Sequence, residues 1–433
     1  MSNGIRTRQN VAGMTSDHPT LKVYRTAVKE MKNLPESDRR NWRRQAQIHE
    51  DNCPHTNWFF LPWHRKYILD FERICRDLSG DQNFALPYWN WTQTRKIPAP
   101  FWEAPLLDTT RAIGKNAEIS GQFVGRRVIR RVLRQTNFEL FASTRPRGQN
   151  STDQSWQRAG GAEAVLEATP HDQVHVWIGG RNGHMNTMLS PLDPIFWLHH
   201  SNIDRLWAEW NSPPRSNGNT SNALWRNFRL RPGDTLVRDL QNITQLGYTY
   251  STLTQTQLAE ASELPPLLER ARDSFELMEP KVASLGQEVN FSVETPQSAL
   301  PLAAEGVAAE DVAEDGPKVL AFVRGVETPE NRQVTVNVFL NCSYLSAETP
   351  VSDPHYVGNF TFFGVHEHDD GAEGEHDMKK SFVFDLTDTV DRLRALEPDL
   401  EKRLTVQLMP VALEGRDVPP QEFGIEGVEL VYI

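Results

Sequence analysis

The sequence predicts a multidomain protein in which a mainly α-helical domain comes first and an all-β, sandwich-like domain follows. Apolar residues recur at helical spacing through the first ~250 residues. All twelve tryptophans lie between Trp42 and Trp225, and none follows. The last ~115 residues instead contain β-branched or aromatic runs separated by turns, such as VTVNVFL, KSFVFDLT and GVELVYI.

We place the helical domain at residues 1–253 and the β-rich domain at residues 318–433. The stretch 254–317 is interpreted as a linker, in which LPPLLERARDSFELME is predicted to form one more helix. An acidic, alanine-rich segment from Leu302 to Gly316 follows, with five acidic residues and no Lys or Arg. Such a composition is typical of an exposed connection.

Composition limits the class of protein. A net charge of −11 argues against a nucleic-acid-binding protein, and no apolar run is long enough to cross a bilayer. The first residues lack the apolar core of a secretory signal, which predicts a cytoplasmic location, with export alongside a partner left open. Three cysteines are too few for a disulfide framework. Assembly into a homo-oligomer also stays open.

Three histidines form a first cluster within IHEDNCPHTNWFFLPWHRKYILDFERI. His55 and His64 are nine residues apart, so both can reach one metal only if His55 precedes the helix that carries His64. Pro62 supports this placement, because proline is best tolerated in the first turn of a helix. His49 lies six residues before His55, and Cys53 lies two before it.

A second cluster begins in TPHDQVHVWIGG. His171 and His175 are four residues apart, so they share one helix face, and Thr169 with the following proline predicts the helix start. The run lacks the glutamate of the zinc-protease HExxH pattern, which argues against a hydrolase of that kind.

The second cluster is completed by DPIFWLHHSNIDRLWAEW, where Asp193 and a proline predict another helix start. Asp204 follows His200 by four residues, so its carboxylate is predicted to hydrogen-bond the far nitrogen of that ring. His199 points about 100° away and is interpreted as a packed neighbour of the metal site. Three imidazoles per cluster, without a carboxylate, favour a borderline transition metal. Two clusters on helices predict a binuclear centre and oxygen chemistry.

The chain resembles type 3 copper proteins of the tyrosinase, catechol oxidase and polyphenol oxidase family. HTNWFFLPWHRKYILDFER and DPIFWLHHSNIDRLW carry the resemblance, and ALPYWNW, PHDQVHVWIGG and LGYTYS support it. It implies a four-helix bundle around two copper ions. His49, His55 and His64 would hold the first ion, and His171, His175 and His200 the second. Cys53 would be joined to the His55 ring by a thioether bond.

The resemblance also implies the reaction. The copper pair would use O₂ to oxidise an o-diphenol to an o-quinone, and in some members first to hydroxylate a monophenol. Glu167 matches a glutamate that holds a phenol-deprotonating water; a surface carboxylate is the alternative. Asp172 stands where strong monophenol hydroxylases often carry Asn, and Val176 would leave the entrance apolar. No aromatic residue lies between Gly179 and Asp193, which predicts an open site.

Residues 318–433 resemble the C-terminal domain of plant-type polyphenol oxidases, which covers the copper entrance and keeps the enzyme latent. The basic run GRRVIRRVLRQ allows two interpretations: docking of the acidic linker or the C-terminal domain, or a solvated helix face over buried apolar residues. An o-aminophenol oxidase and a hemocyanin-like oxygen carrier remain as alternatives, because both would use the same six ligands.

Overall fold

A computed structural model describes residues 4–146, 153–253, 267–271, 273–277, 279–294, 317–364, 379–396 and 403–433. The first part of the chain is mainly helical. Its helices are α1 (Pro19–Asn33), α2 (Trp42–Asn52), α3 (Phe60–Ser79), α4 (Gly121–Val124), α5 (Arg126–Arg134), α6 (Phe138–Phe141), α7 (Asp172–Gly179), α8 (Ile195–Asn211) and α9 (Ala223–Asn227). None of these described helices is both long and apolar enough to span a membrane.

Helix α3 lies at the centre of the helical domain, between α1 and α8. The Phe71 ring of α3 stacks on the Trp197 ring of α8, with centroids 3.5 Å apart. Pro62 falls in the first turn and His55 precedes the helix, as predicted. Gly80 ends α3 with a φ of 78°, a conformation that glycine adopts without a steric penalty.

The helix starts near the second cluster follow the prediction only in part. Asp193 Oδ1 accepts a hydrogen bond from the Ile195 N–H at the start of α8, as expected of a capping residue. The predicted cap at Thr169 is wrong. Thr169 has extended backbone within a short π-helical turn over Glu167–His171, and α7 begins only at Asp172. The Thr169 hydroxyl instead donates to the Asn359 backbone carbonyl at 3.0 Å.

The C-terminal region contains two antiparallel sheets. Their strands are β5 (Asp273–Leu277), β6 (Lys281–Ser284), β7 (Val289–Glu294), β8 (Val319–Glu327), β9 (Val334–Leu340), β10 (Tyr356–Phe360), β11 (Lys379–Asp385), β12 (Arg403–Ala412) and β13 (Glu422–Tyr432). The first sheet has the strand order β10-β9-β12-β7, and the second has the order β11-β8-β13-β5, with β6 also pairing with β13. Shorter strands in the helical domain are β1 (Arg6–Arg8), β2 (Arg229–Leu230), β3 (Thr235–Leu236) and β4 (Tyr248–Tyr250).

Two parts of the domain prediction need correction. The stretch assigned to a linker supplies β5, β6 and β7, which pair with β13 and β12, so the β region starts well before residue 318. The described residues of the predicted helix form none: a short 3-10 turn covers Leu267–Arg270, and DSFEL forms the edge strand β5. The region is also not all-β, because it contains the helix α10 (Thr387–Arg394). The acidic segment 302–316 lies outside the described residues.

The two domains share a continuous interface. Glu163 of the helical domain pairs with β11: its N–H donates to Ser381 O at 2.8 Å, and its carbonyl accepts from Val383 N at 2.9 Å. An apolar cluster joins the domains beside this pairing. Its members are Leu140, Ala162, Ala164, Leu267, Leu320, Phe322, Val383, Val431 and Ile433. Apolar burial and backbone pairing together therefore stabilise the domain contact.

Candidate metal centre

The first histidine cluster comes from α2, α3 and the segment between them. His49 lies in the last turn of α2, His55 lies between the helices, and His64 lies in α3. All three side chains are buried. One ligand atom from each, together with Cys53 Sγ, lies within 4.8 Å of the others. Such a spacing allows the three imidazoles to surround one ion.

The second cluster comes from α7 and α8. His171 immediately precedes α7, His175 lies within it, and His199 and His200 lie in α8. All four are buried, and their nitrogen atoms also fall within 4.8 Å of one another. The histidines of the second cluster are at least 107 positions away in the chain from those of the first cluster.

The two clusters adjoin each other. The rings of His64 and His200 are stacked, with centroids 4.2 Å apart and 12° between their planes. The rings of His55 and His171 lie 5.6 Å apart. Because the clusters face each other at this distance, two ions held by them would share one cavity, as a binuclear centre requires.

Hydrogen bonds fix the orientation of four of these rings. An oxygen acceptor beside Nδ1 keeps the ring proton there and leaves the Nε2 lone pair for a metal. The four pairs are His49 with Met188 O (2.7 Å), His64 with Phe60 O (2.8 Å), His171 with Asp172 Oδ1 (2.8 Å) and His175 with Met185 O (2.7 Å).

His199 differs from its neighbour His200 in its tautomer. Trp91 Nε1 donates to His199 Nδ1 at 3.1 Å, and an indole N–H can only donate. The neutral His199 ring therefore carries its proton on Nε2 and has no lone pair there. His200 Nε2 instead lies 3.3 Å from His175 Nε2. Two acceptor atoms at this distance fit a shared cation, which favours His200 over His199 as a ligand.

The electrostatics of the cavity suit a metal with neutral nitrogen ligands. Burial first, and then neighbouring imidazoles, lower the pKa of five histidines well below the ordinary value, and these are His55, His64, His171, His175 and His200. Neutral imidazole is the form that binds copper. The donor set therefore fits the copper pair implied by the sequence.

Cys53 lies against two histidines of the first cluster. Its Sγ is 3.7 Å from both Nδ1 and Nε2 of His55, the two nitrogens that flank ring carbon Cε1. It is also 3.3 Å from His64 Nε2. Burial raises the pKa of the Cys53 thiol. The position allows a bond to the His55 ring.

The expected hydrogen bond between Asp204 and His200 is not present. The Asp204 carboxylate instead accepts from two arginines and two tyrosines: Arg8 (3.2 Å), Arg65 (2.5 Å), Tyr248 (2.7 Å) and Tyr250 (2.5 Å). His200 Nδ1 has no hydrogen-bond partner in the described part of the chain. Helical spacing placed Asp204 one turn from His200, but charged donors distant in sequence occupy its oxygen atoms.

Three carboxylates are buried beside the second cluster. Glu167 Oε1 accepts from Thr56 N at 2.9 Å and Oε2 accepts from the Ser143 hydroxyl, so Glu167 is not a surface residue. Burial and the nearby Asp172 raise the pKa of Glu167 to about 8. Burial raises the pKa of Asp172 to about 6. Glu163 completes the group, which we call the acidic trio (Glu163, Glu167, Asp172).

A lysine of the C-terminal region enters the acidic trio. Lys380 Nζ lies 3.0 Å from Asp172 Oδ2 and also contacts a Glu163 carboxylate oxygen. Burial alone would lower the pKa of Lys380, but the carboxylates of Asp172 and Glu163 outweigh it and raise that pKa. The same ammonium donates to the backbone carbonyl of Phe363. One cation thus connects β11, the segment after β10 and the metal centre.

Phe363 and Gly364 cover the histidines. The Phe363 ring stacks on His175 with centroids 3.8 Å apart, and its edge faces His55 and His171 at 5.2 and 5.6 Å. Phe363 is fully buried. Gly364 has a φ of 78°, and a Cβ there would lie 3.1 Å from His55 Nδ1. Glycine is therefore favoured by the positive φ, and a side chain there would crowd the His55 ring.

Sequence reasoning missed Phe363, Lys380 and Glu163. Phe363 and Lys380 both fall in the predicted β-rich domain, residues 318–433, and the local signal was a Phe-Gly pair shortly after β10. Val176, predicted to line the entrance, is completely buried in the apolar cluster that Phe363 joins. Its role at the entrance stays a prediction.

Comparisons with known proteins agree with this site. The model for the common central domain of tyrosinase matches residues 31–139 and 103–213, and the model for the chloroplastic polyphenol oxidase C-terminal domain matches residues 281–425. A Streptomyces glaucescens tyrosinase is 34% identical over 278 residues, covering 57% of this chain and 98% of that protein. A tyrosinase of Hahella sp. (strain CCB-MM4) is 28% identical and covers 96% of this chain and 97% of its own.

A solved structure is similar in fold along almost the whole chain. Latent apple tyrosinase superposes with a TM-score of 0.71 at 21% identity, covering 99% of this chain and 97% of that one. At this identity the likeness concerns the fold alone. The superposed part includes both the helical core and the C-terminal β region, in the same relative arrangement.

The predicted cytoplasmic location is contradicted. The C-terminal model describes a chloroplastic domain, and the Malus domestica relative, 25% identical over 89% of this chain, is named a chloroplastic polyphenol oxidase. These findings overturn the prediction of a cytoplasmic location. The composition of the first residues was therefore not a sound basis for assigning a compartment.

Proposed function

Because the chain belongs to the tyrosinase family, whose members oxidise phenols with two copper ions and O₂, we propose which residues carry out that chemistry here and how it is kept latent. When bound, the copper pair binds O₂ and accepts the electrons that an o-diphenol loses on becoming an o-quinone. The observation that carries the proposal is the pair of facing histidine clusters, each with its ligand atoms within 4.8 Å.

We assign His49, His55 and His64 to the first copper ion. The second ion would be held by His171, His175 and His200. Ring orientation supports this choice, because Nδ1 is hydrogen-bonded to an oxygen in four of the six and Trp91 disfavours His199. Helices α2, α3, α7 and α8 would then form a four-helix bundle around the pair.

Cys53 is proposed to form a thioether with the His55 ring. Formation would replace one S–H and one ring C–H bond with an S–C bond, so that two electrons and two protons leave, and O₂ would be the oxidant that accepts them. The bond would hold the His55 ring, which lacks the oxygen partner described above for four other ligands. His55 would then keep its orientation after Phe363 and Gly364 leave.

Phe363 occupies the position we assign to the phenol ring. Its ring lies parallel to His175 at 3.8 Å, an arrangement that another aromatic ring can reproduce. The C-terminal region would therefore keep the enzyme latent by presenting its own aromatic side chain to the copper centre. The helical domain itself contributes no aromatic gate between Gly179 and Asp193, so removal of Phe363 would leave an open site.

The acidic trio is proposed to handle the phenolic proton. In the latent arrangement Asp172 is engaged twice, by His171 Nδ1 and by Lys380. Departure of Lys380 with its domain would free Asp172 Oδ2 and leave Glu167 held by Thr56 and Ser143. Glu167 could then accept a proton through a water, and Asp172 would orient His171. An Asp172→Asn variant assayed on tyrosine and on a catechol tests this, since an unchanged activity ratio removes Asp172 from proton handling.

One experiment tests the function as a whole. The full chain is loaded with copper and assayed on a monophenol, an o-diphenol and an o-aminophenol before and after limited proteolysis. We expect o-diphenol oxidation to appear or rise strongly after cleavage, with two copper ions retained. Reversible O₂ binding without phenol turnover would indicate an oxygen carrier, and a preference for o-aminophenol would change the substrate class.

A further inference from the structure

Two groups of the C-terminal region reach the metal centre side by side, an aromatic ring and an ammonium. The Phe363 ring stacks on His175 with centroids 3.8 Å apart, and Lys380 Nζ lies 3.0 Å from Asp172 Oδ2. Lys380 also donates to the Phe363 backbone carbonyl, so one hydrogen bond and the length of one residue separate the ring from the cation. The two side chains therefore occupy positions that one small molecule with a ring and an ammonium group could fill.

The carboxylates that receive this ammonium belong to the helical domain. We call Glu163 and Asp172 the ammonium subsite, and both side chains are fully buried. In the described part of the chain, Lys380 is the only cation paired with the Glu163 oxygens. Asp172 directs Oδ1 to His171 Nδ1 at 2.8 Å and leaves Oδ2 for Lys380. A primary ammonium has three N–H donors, and here they meet two carboxylates and one backbone carbonyl.

Removal of the C-terminal region would leave the ammonium subsite without a cation. In the described part of the helical domain, no Lys or Arg forms an ion pair with Glu163 or Asp172. Both carboxylates contact the same Lys380 nitrogen, so they adjoin each other and repel one another once it has left. A ligand that brings its own ammonium to this position restores the lost interactions. The site that the phenol enters therefore favours a cation beside the ring.

We infer that the activated enzyme selects phenols and catechols that carry a short alkylammonium chain. The ring would stack on His175 in place of Phe363, and the ammonium would bind Glu163 and Asp172 in place of Lys380. Oxidation of such amines rests on the function proposed above, whereas binding of the cation does not. A neutral catechol leaves the two carboxylates without a partner, and a carboxylate on the chain adds a further negative charge.

Three catechols with the same short chain test the substrate class. Dopamine ends in an ammonium, hydroxytyrosol in a hydroxyl and hydrocaffeate in a carboxylate. Each is assayed with the copper-loaded full chain after limited proteolysis. We expect a KM for dopamine about tenfold or more below that of hydroxytyrosol, and the highest KM for hydrocaffeate. Because the ammonium contact is the same in the ground state and the transition state, kcat should differ little between the first two. Equal KM values for dopamine and hydroxytyrosol, or the lowest KM for hydrocaffeate, overturn the inference.

Matched variants locate the cation site. Glu163→Gln should reduce the preference for dopamine over hydroxytyrosol by about tenfold, through the KM of dopamine. Glu139→Gln is the control, since Glu139 is also buried in the helical domain but accepts from Arg145 N and Leu267 N. The preference is a ratio within one preparation, so incomplete copper loading or partial unfolding cancels. An unchanged preference in Glu163→Gln, or an equal loss in Glu139→Gln, overturns the inference.

A binding test on the uncleaved chain requires neither copper nor oxidation. Lys380→Ala removes the ammonium and leaves its place at the ammonium subsite open. By titration calorimetry, butylammonium should bind this variant about tenfold or more tightly than butanol. It should not bind the wild type, in which Lys380 fills the site. Adding Glu163→Gln to Lys380→Ala should abolish the binding. Failure of butylammonium to bind Lys380→Ala, or equal binding of butanol, overturns the inference.

The two sets of measurements separate the substrate class from the function on which it rests. Butylammonium binding to Lys380→Ala without oxidation of any catechol would contradict the proposed oxidase and leave the cation site in place. Catechol oxidation with one KM for dopamine and hydroxytyrosol would leave the oxidase in place and overturn the preference for amines.

Discussion

Lys380 Nζ lies 3.0 Å from Asp172 Oδ2, and this ion pair crosses the boundary between the two domains. Both side chains are buried, at 5% and 0% exposure. A buried ion pair contributes little net stability relative to apolar packing, but loss of one partner leaves the other charge uncompensated. The pair therefore specifies one position of the C-terminal region relative to the metal centre.

Replacing Lys380 should weaken latency. Lys380→Met removes the partner of Asp172 and Glu163, and breaking a buried pair in this way costs about 3–5 kcal/mol. Because the pair exists only in the closed arrangement, we expect the uncleaved enzyme to gain at least tenfold in o-diphenol oxidation. Activity is measured without protease, with copper content determined in parallel.

Lys379→Met is the matched control for this substitution. Lys379 contacts Glu426 and Glu327 within the C-terminal region. The Lys379→Met substitution should therefore leave the basal o-diphenol oxidation of the uncleaved enzyme unchanged. If Lys380→Met stays as latent as the wild type with full copper content, the ion pair does not hold the domain in place.

Phe363 gives a second prediction. Phe363→Ala removes a fully buried ring and should cost the closed arrangement about 3–5 kcal/mol. We expect basal o-diphenol oxidation to rise by about a hundredfold and KM to fall, since the ring position on His175 becomes vacant. Phe275→Ala, in edge strand β5, is the control. Equal effects of both variants would indicate general destabilisation of the β region rather than a vacated phenol site.

The two adjacent histidines of α8 should differ in copper binding. His200→Gln should reduce the copper content from two ions per chain to one. His199→Gln should retain both ions, because its Nδ1 accepts from Trp91 and its Nε2 carries the proton. Elemental analysis of the purified chains decides between them. A loss of copper from His199→Gln alone would reverse the ligand assignment.

Cys53 should become resistant to alkylation after copper loading in air. Thioether formation removes the mass of two hydrogen atoms from the tryptic peptide that contains Cys53 and His55, and peptide mass spectrometry measures it. Cys75 and Cys342 serve as internal controls, since both are buried free thiols and should alkylate after unfolding. Alkylation of Cys53 to the same extent, or a link to His64, would contradict the assignment.

Asp204 should determine part of the acid sensitivity. Burial alone would raise its pKa, but Arg65 and Arg8 outweigh burial and lower that pKa below 3.8. The carboxylate thus stabilises the fold above about pH 4, the ordinary pKa of an aspartate, and this contribution is lost as pH falls through the lowered folded-state value.

Asp204→Asn should therefore lower Tm at pH 7 and make the decline of Tm below about pH 4 shallower. Thermal unfolding across pH 2–7 measures both effects. Asp70→Asn is the control, because Asp70 pairs with Lys66 on the surface and is 41% exposed. An unchanged acid slope in Asp204→Asn would show that other carboxylates account for the acid sensitivity.

The histidines that the structure brings together could be picked out from the sequence because their signals are local, and their roles as copper ligands stay a prediction. The spacing of His171 and His175 indicates one shared helix face. The proline in the first turn of α3 indicates where that helix begins. Asp204 could not be assigned in the same way, since Arg8, nearly 200 residues away, competes for its oxygens. Lys380 was equally inaccessible, because its partner Asp172 is reached only when β11 packs against the helical domain.

Strands β5 to β7 show a second limit of prediction from the sequence. Each of these strands is short and is stabilised by pairing with β12 or β13, more than a hundred residues later. Tertiary pairing, not local propensity, decided their conformation. Within the described residues of LPPLLERARDSFELME, the predicted helix is replaced by a short turn and by strand β5 for the same reason.

The pairing of Glu163 with β11 has a consequence after activation. In the latent chain, Glu163 satisfies the Ser381 carbonyl and the Val383 N–H at the outer side of the sheet. Once the β-rich domain is released, these two backbone groups are unpaired at the edge of the sheet and can pair with a strand of another molecule. The released β-rich fragment should therefore self-associate. Its precipitation or oligomerisation would make activation of this oxidase irreversible.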